Sequence, residues 1–198
     1  MKKKGGKSFL RQGYGDSWDY LKESKVFIFS AIVVFFIFAL VGFLFPAPEF
    51  ISQPILKLIE DLVARTQGLN TSQLVLFIFT NNVWASFLAL TFGIILGIYP
   101  FLSALLNGYL LGFVGRMVTS QEGIGTLWKI LPHGIFELPA IFIAFGLGMK
   151  LGTVFFKKNF RKTFKEYIKK SLEVLVFVII PLLIIASIIE GSLIGLFS

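Results

Sequence analysis

The residues with the most chemical potential in this chain lie in the run Leu-Pro-His-Gly-Ile-Phe-Glu-Leu-Pro-Ala-Ile-Phe-Ile, from Leu131 to Ile143. The run holds the only histidine, His133, and a carboxylate, Glu137, four residues later. That spacing puts both on one face of a helix. Ionisable groups in an apolar stretch cost free energy unless paired or hydrated, which makes them functional-site candidates. Together they could move a proton as general acid and base. They could equally hydrogen-bond neighbouring helices into register, or line a polar cavity for a substrate, an ion or a lipid headgroup. Pro139 has no backbone N–H, and its ring displaces the Ile135 carbonyl; Pro132 does the same near Trp128. Carbonyls freed at membrane depth are tolerated where they line a cavity or meet a partner.

Most other chemistry is excluded by residue type. A zinc site takes three or four ligands; one histidine, no cysteine and no His-Glu-x-x-His argue against an intramembrane metalloprotease. His133 could serve Ser86 or Ser103 as a base, but no Gly-x-Ser-x-Gly supports a nucleophile. Gly13-x-Gly15 and Gly123-x-Gly125 are too short to be nucleotide-binding motifs. The expectation is a chain that is not an enzyme, with no metal and no cofactor.

The elements that position these residues are membrane spans. Of 198 residues, 56% are hydrophobic and 15% charged, with a mean hydropathy of +0.82; a soluble domain carries about 25% charged residues. The expected fold is all-α: a polytopic bundle of five transmembrane helices plus two amphipathic surface helices. A basic cytoplasmic segment, 1–25, precedes a single transmembrane domain, 26–198, with spans at about 26–45, 73–98, 101–118, 127–151 and 172–197. Pro46 and Pro48 end the first span, and Tyr99-Pro100 reads as the turn between the second and third. The first span is too long for a signal peptide and reads as a retained anchor. Ile51 to Thr66 is amphipathic, too charged to cross, and is expected to lie at the outer boundary with Ile55, Leu58 and Leu62 buried. Phe155 to Lys170 is the second surface segment.

The net charge of +8 is concentrated in two places: seven of the 19 basic residues precede Val26, and eight lie from Lys150 to Lys170. Cytoplasmic loops carry such excesses. The pattern predicts a multi-pass protein of the cell membrane with its N-terminus inside and its C-terminus outside, and it explains the charge without nucleic acid.

Small residues recur at a spacing of four in three spans. Span two has Ala85, Ala89 and Gly93; span three has Gly108 and Gly112; span four has Ala140 and Ala144. Such stripes let helix backbones approach in lipid, so these positions are the expected close-packing contacts, and they make homodimerisation plausible. Spans one and five lack a long stripe and are expected to face lipid more than the others. The stripes end in polar groups. Counting about 1.5 Å per residue puts Asn81 and Asn82 roughly 12 Å below the outer end of span two, with Glu137 near the midplane. His133, Arg116 and Glu190 fall in the same outer half, and Asn107 in the inner half. The set His133, Glu137, Asn81, Asn82, Arg116 and Glu190, with Asn107, is the candidate intramembrane cluster, either structural or substrate-binding.

The run Pro132-His133-Gly134-Ile135-Phe136-Glu137-Leu138-Pro139-Ala140 resembles the signature of the stage II sporulation protein M family. The Asn81-Asn82 pair, Asn107-Gly108 and the late Ile-Ile-Glu190 are similar to that family's pattern, so the resemblance covers Phe77 to about Gly191. It implies a small protein of five to six spans. In spore-forming bacteria it implies a non-enzymatic anchor beside two cell-wall hydrolases; many relatives occur in organisms that do not sporulate. The expected function is therefore a membrane scaffold that anchors envelope proteins. The alternative is a small transporter or lipid-handling protein that uses the outer-leaflet polar cavity. The expected partners are membrane lipids and envelope proteins.

Overall fold

The structure, a computed structural model, describes residues 9–125 and 131–197, apart from the side chains of 9–10, 122, 131–136 and 195–197. It is all-helical among the described residues: α1 (Phe9–Glu23), α2 (Lys25–Leu44), α3 (Glu49–Thr66), α4 (Thr71–Phe92), α5 (Ile98–Glu122), α6 (Leu131–Gly152), α7 (Phe160–Val174) and α8 (Ile180–Phe197). Five segments are long and apolar enough to cross a membrane: Lys25–Leu44, Thr71–Phe92, Ile98–Gln121, Glu137–Phe156 and Phe160–Ile194.

Local chemistry sets the boundaries. Asn70 and Gln73 form a reciprocal capping box, each side chain bonding the other's backbone N–H at 3.0 Å; this satisfies two orphan donors and starts α4 slightly earlier than the expected Gln73. The turn into α5 is Gly93–Gly97, not Tyr99-Pro100. Gly97 adopts φ +70°, which a glycine reaches without steric cost, and Pro100 sits in the first helical turn, where its missing N–H is no loss. α7 and α8 are one continuous rod through a π-helical turn, Leu175–Ile179. The wide turn falls just before Pro181, whose ring cannot fit a regular ladder.

The N-terminal segment is more ordered than its charge implies. Its residues 9–23 form α1, which packs on α7. The buried face of α1 is Gly13, Ser17 and Tyr20, continued by Ser24. This face carries little hydrocarbon, so no apolar periodicity betrays it. At Gly13 a Cβ would lie 2.5 Å from the Phe177 ring, which fills the space instead.

α6 is the centre of the bundle, packed between two pairs: α2 with α5, and α4 with α8. Glycines bring the backbones together. A Cβ on Gly108 would strike the Phe35 carbonyl, and one on Gly112 the Ala39 carbonyl; Gly42 meets Tyr109 in return. Gly93 faces Gly148, with 2.6 Å from the missing Cβ to its Cα, and Gly191 faces Val75. Ala89, Ala140 and Ala144 are fully buried. One expectation is corrected here: Ala85 is exposed rather than packed against a helix. Span one has the smallest buried share of the five candidate spans, with only Ala31, Phe35 and Gly42 buried. It receives the stripe of α5 through its own backbone, a role that needs no small-residue stripe on the receiving side. α3 also departs from expectation: none of its residues is buried within the protein, and Leu58 is 54% exposed. Its apolar residues Leu58 and Leu62 line the space beneath it, and Phe50 is left exposed.

Overfilling the α2–α5 contact should be severe, because the obstacle is backbone. Gly108→Leu is expected to cost at least the ~3 kcal/mol at the upper end of overpacking effects. Gly15→Ala, where a Cβ meets nothing within 4 Å, should be neutral or stabilising by up to about 1 kcal/mol. Thermal unfolding of both variants in detergent checks the contrast.

Candidate functional site: a polar cavity beneath α3

α3 lies across the end of the bundle where α2 finishes and α4 begins. Beneath it is an open cavity of about 730 Å³, within the roughly 300–1,000 Å³ of ordinary ligand sites. Its origin is the pairing of helices. α5 is held to α2, and α4 to α8 and α6, so α4 and α5 separate beyond their short turn, and Ile141 and Phe145 of α6 floor the gap.

Asn81, Asn82, Ala85 and Ser86 of α4 form one wall of the cavity, Asn107 of α5 another, and Glu137 of α6 and Glu190 of α8 supply carboxylates. Five of the seven residues of the expected cluster therefore meet in one space. Asn107 belongs with the others rather than in an inner half. α5 begins at Ile98 and runs past the expected end, which puts Asn107 about 14 Å along it, near mid-helix. The Asn107 amide donates to the Ser103 carbonyl at 2.8 Å, which leaves its side-chain oxygen as an acceptor. Glu137 and Asn82 are buried, at 7% and 8% exposure. The Ser86 hydroxyl is buried and, among the described residues, has no hydrogen-bond partner. No side-chain hydrogen bond from Asn81 or Asn82 crosses to another helix among the described residues.

Arg116 is not in this cavity. Its guanidinium donates to the carbonyls of Phe43 and Leu44, both at 3.0 Å. These are terminal carbonyls of α2, which no later turn can satisfy, and a cation at a helix C-terminus is favourable. Arg116 therefore caps α2 instead of joining the candidate cluster. The side chains of His133 and Pro132 lie outside the described residues. Pro139 is accommodated within α6, two residues after Glu137.

The sequence reading missed three lining groups. Lys57, Asp61 and Arg65 of α3 line the cavity, although their spacing of four, one face of a helix, was legible. Ser86 was noted only as a nucleophile candidate, yet it lies one turn from Asn82 on the same face. Toward the other end of the bundle α4 and α6 close to backbone contact at Gly93 and Gly148, and Gly97 packs against Met149. These contacts seal that side between the two helices.

The opposite end holds a second polar cluster, centred on Lys150. Its ammonium is buried, 3.0 Å from Ser24 Oγ, 3.6 Å from Glu23 and 3.9 Å from the centre of the Tyr20 ring. Lys170 bridges Glu23 at 3.7 Å and Glu166 at 3.0 Å. The cluster ties α1 and the start of α2 to α6 and α7. Burial pushes the Tyr20 hydroxyl above its ordinary range, so it stays protonated.

A family model described as stage II sporulation protein M matches residues 31–193. The chain belongs to that family. The matched region contains every residue that lines the cavity. The chain is 30% identical over 176 residues to the uncharacterized protein MJ0706 of Methanocaldococcus jannaschii, covering 86% of this chain and 78% of that protein. It is 36% identical over 76 residues to the uncharacterized protein MJ0793 of the same organism, covering 37% and 43%. No solved structure matches significantly.

The Lys150 cluster should respond asymmetrically. Glu23 is half-exposed while Lys150 is not, so removing the carboxylate strands a buried cation, whereas removing the cation strands only a hydrated anion. Glu23→Ala is expected to cost about 2 kcal/mol, less than a fully buried pair because solvent screens this one. Lys150→Met should cost about 1 kcal/mol or less, mainly the lost cation–π contact. Equal losses in detergent thermal unfolding would contradict this account.

Proposed function

We propose that this chain is a non-catalytic membrane protein that receives a polar ligand in the cavity beneath α3, from the outer side of the membrane. The observation that carries the reading is the cavity itself: about 730 Å³ of open space lined by three carboxamides and two carboxylates, with the buried Ser86 hydroxyl beside them lacking a hydrogen-bond partner among the described residues. Polar groups serving only as interhelical glue would be expected to close that space with direct bonds. A ligand-binding site keeps it open and apolar-walled, with few convergent polar groups.

Orientation is part of the same proposal. The two basic concentrations, before Val26 and from Lys150 to Lys170, favour a cytoplasmic position for α1 and α7, which turns α3 and the cavity outward. The sealed contacts at Gly93 and Gly148 then lie on the cytoplasmic side, as in an outward-open state.

A second reading, the membrane scaffold implied by the family resemblance, draws support from the other end. α1 and α7, tied by Lys150 and Lys170, make a fixed plate that leaves Tyr14 and Trp18 exposed at 52% and 61%. A partner protein could bind there without any use of the cavity.

The cysteine-free chain makes the test direct. In intact cells, Ala85→Cys should react with a membrane-impermeant thiol reagent, and so should Ser72→Cys at the start of α4. Lys158→Cys, on the basic side, should not. Labelling of Lys158→Cys would overturn the orientation; an unreactive Ala85→Cys beside a reactive Ser72→Cys would mean a closed cavity and leave the scaffold reading.

A further inference from the structure

The end of the bundle away from α3 carries an apolar surface that has no part in the cavity. Ile94, Ile95 and Leu96 of the α4–α5 turn, with Phe155 and Phe156 of the short turn after α6, line an open space of about 680 Å³. Ile95, Leu96 and Phe155 are half exposed or more, and Phe156 is 82% exposed. Backbone contacts hold the two sides together. A Cβ on Gly152 would strike Leu96 and Gly97, and Gly97 packs against Met149. Leu96 keeps φ +51°, a left-handed conformation that is uncommon and strained for leucine. Such strain persists where the surroundings over-determine it. The apolar surface continues onto α7: the Phe155 and Phe160 rings are 5.2 Å apart, and Phe160 stacks on Phe164 at 5.8 Å.

Cations border this surface without counter-charges. Lys157, Lys158, Arg161 and Lys165 are exposed and form no ion pair among the described residues. Lys22, Lys150, Lys169 and Lys170 each meet a carboxylate instead. No acidic residue occurs from Leu62 to Gln121 or from Leu138 to Lys165, the stretches that build the apolar surface and its border. The nearest acid along the chain, Glu166, is two residues from Phe164 and so on the other side of α7. It bridges Lys170 at 3.0 Å and lines a separate cleft with Asp16, Asp19, Glu23 and Glu173.

Three candidate spans meet at this level: Thr71–Phe92 and Glu137–Phe156 end here, and Ile98–Gln121 begins. A phospholipid passes from acyl chain to phosphate at the same level. Aromatic and aliphatic side chains suit the chain, and unpaired lysine and arginine suit an anionic headgroup. We propose that this surface is a binding site for an anionic phospholipid. An acyl chain lies against Ile95, Leu96 and Phe156, and the phosphate lies among Lys157, Lys158, Arg161 and Lys165. The site is independent of the cavity beneath α3.

The experiment uses the full chain in detergent and native mass spectrometry, with palmitoyl-oleoyl phosphatidylglycerol and phosphatidylcholine at equal concentration. The glycerol lipid should be retained at least about fivefold more. Changing Lys157, Lys158, Arg161 and Lys165 together to Gln should abolish that preference; all four are exposed and unpaired, so the fold does not depend on them. Changing Lys2, Lys3, Lys4 and Lys7 together to Gln removes the same charge and should leave the preference intact. Ile95→Asn with Phe156→Asn should weaken retention of phosphatidylglycerol several-fold. Equal retention of the two lipids by the unaltered chain would overturn the proposal. An equal loss in both lysine variants would do the same, because net charge alone would then explain the preference. Displacement by glycerol 3-phosphate at the lipid's own concentration would make the ligand a soluble phosphate ester. A dimer that the Ile95 and Phe156 changes dissolve would make this face an interface between copies.

Discussion

Everything in this bundle depends on helices being able to touch backbone to backbone. In lipid there is no hydrophobic gain in bringing one apolar helix against another, so close van der Waals contact must do the work. The contacts occur where a side chain is missing. Gly108 and Gly112 lie on carbonyls of α2, Gly93 on Gly148, Gly146 on Ile28 and Gly191 on Val75. These sites make α6 the common neighbour of two helix pairs. Because each contact is fixed by backbone, the pairs cannot slide together to close the space between them.

The cavity follows from that arrangement. α4 and α5 are joined by a short turn, yet each is committed to another partner, so a gap opens between them away from the turn. Polar groups facing lipid there would cost free energy; facing a cavity roofed by α3, they are tolerated. The same geometry explains why α3 has no buried residue. It spans a gap and does not pack on a surface, so it presents Lys57, Asp61 and Arg65 to the cavity together with Leu58 and Leu62.

The other end of the molecule is governed by electrostatics rather than by close packing. α1 buries glycine and serine where a packed helix would bury leucine, so little hydrocarbon holds it in place. The contribution comes from Lys150, which reaches from the end of α6 into a ring of acceptors on α1 and α2 and over the face of Tyr20. Lys170 extends the same network to α7. A glycine-fastened membrane core thus ends in a polar clasp at one face and an open polar chamber at the other.

Much of this was legible in the sequence because hydropathy and small-residue spacing are local properties. Five apolar segments, the amphipathic character of 51–66, the fastening role of Gly93, Gly108 and Gly112, and the meeting of Asn81, Asn82, Glu137 and Glu190 all follow from composition and periodicity. What periodicity could not supply is which faces meet. It gave no sign that α2 would receive the glycines of α5, since a receiving carbonyl has no residue type. It placed Arg116 with the carboxylates because both lie at similar depth, whereas the nearest unsatisfied acceptors proved to be the last carbonyls of α2. It read Ala85 as a packing residue and gave Lys57, Asp61 and Arg65 no part in the site, because an inward-facing cavity and outside water look the same along a single helix. The sequence by itself determined an all-helical membrane protein with its polar groups on particular faces. Only the tertiary structure decided that those faces would surround open space, because that depends on how far apart two backbones are held by glycines elsewhere in the chain.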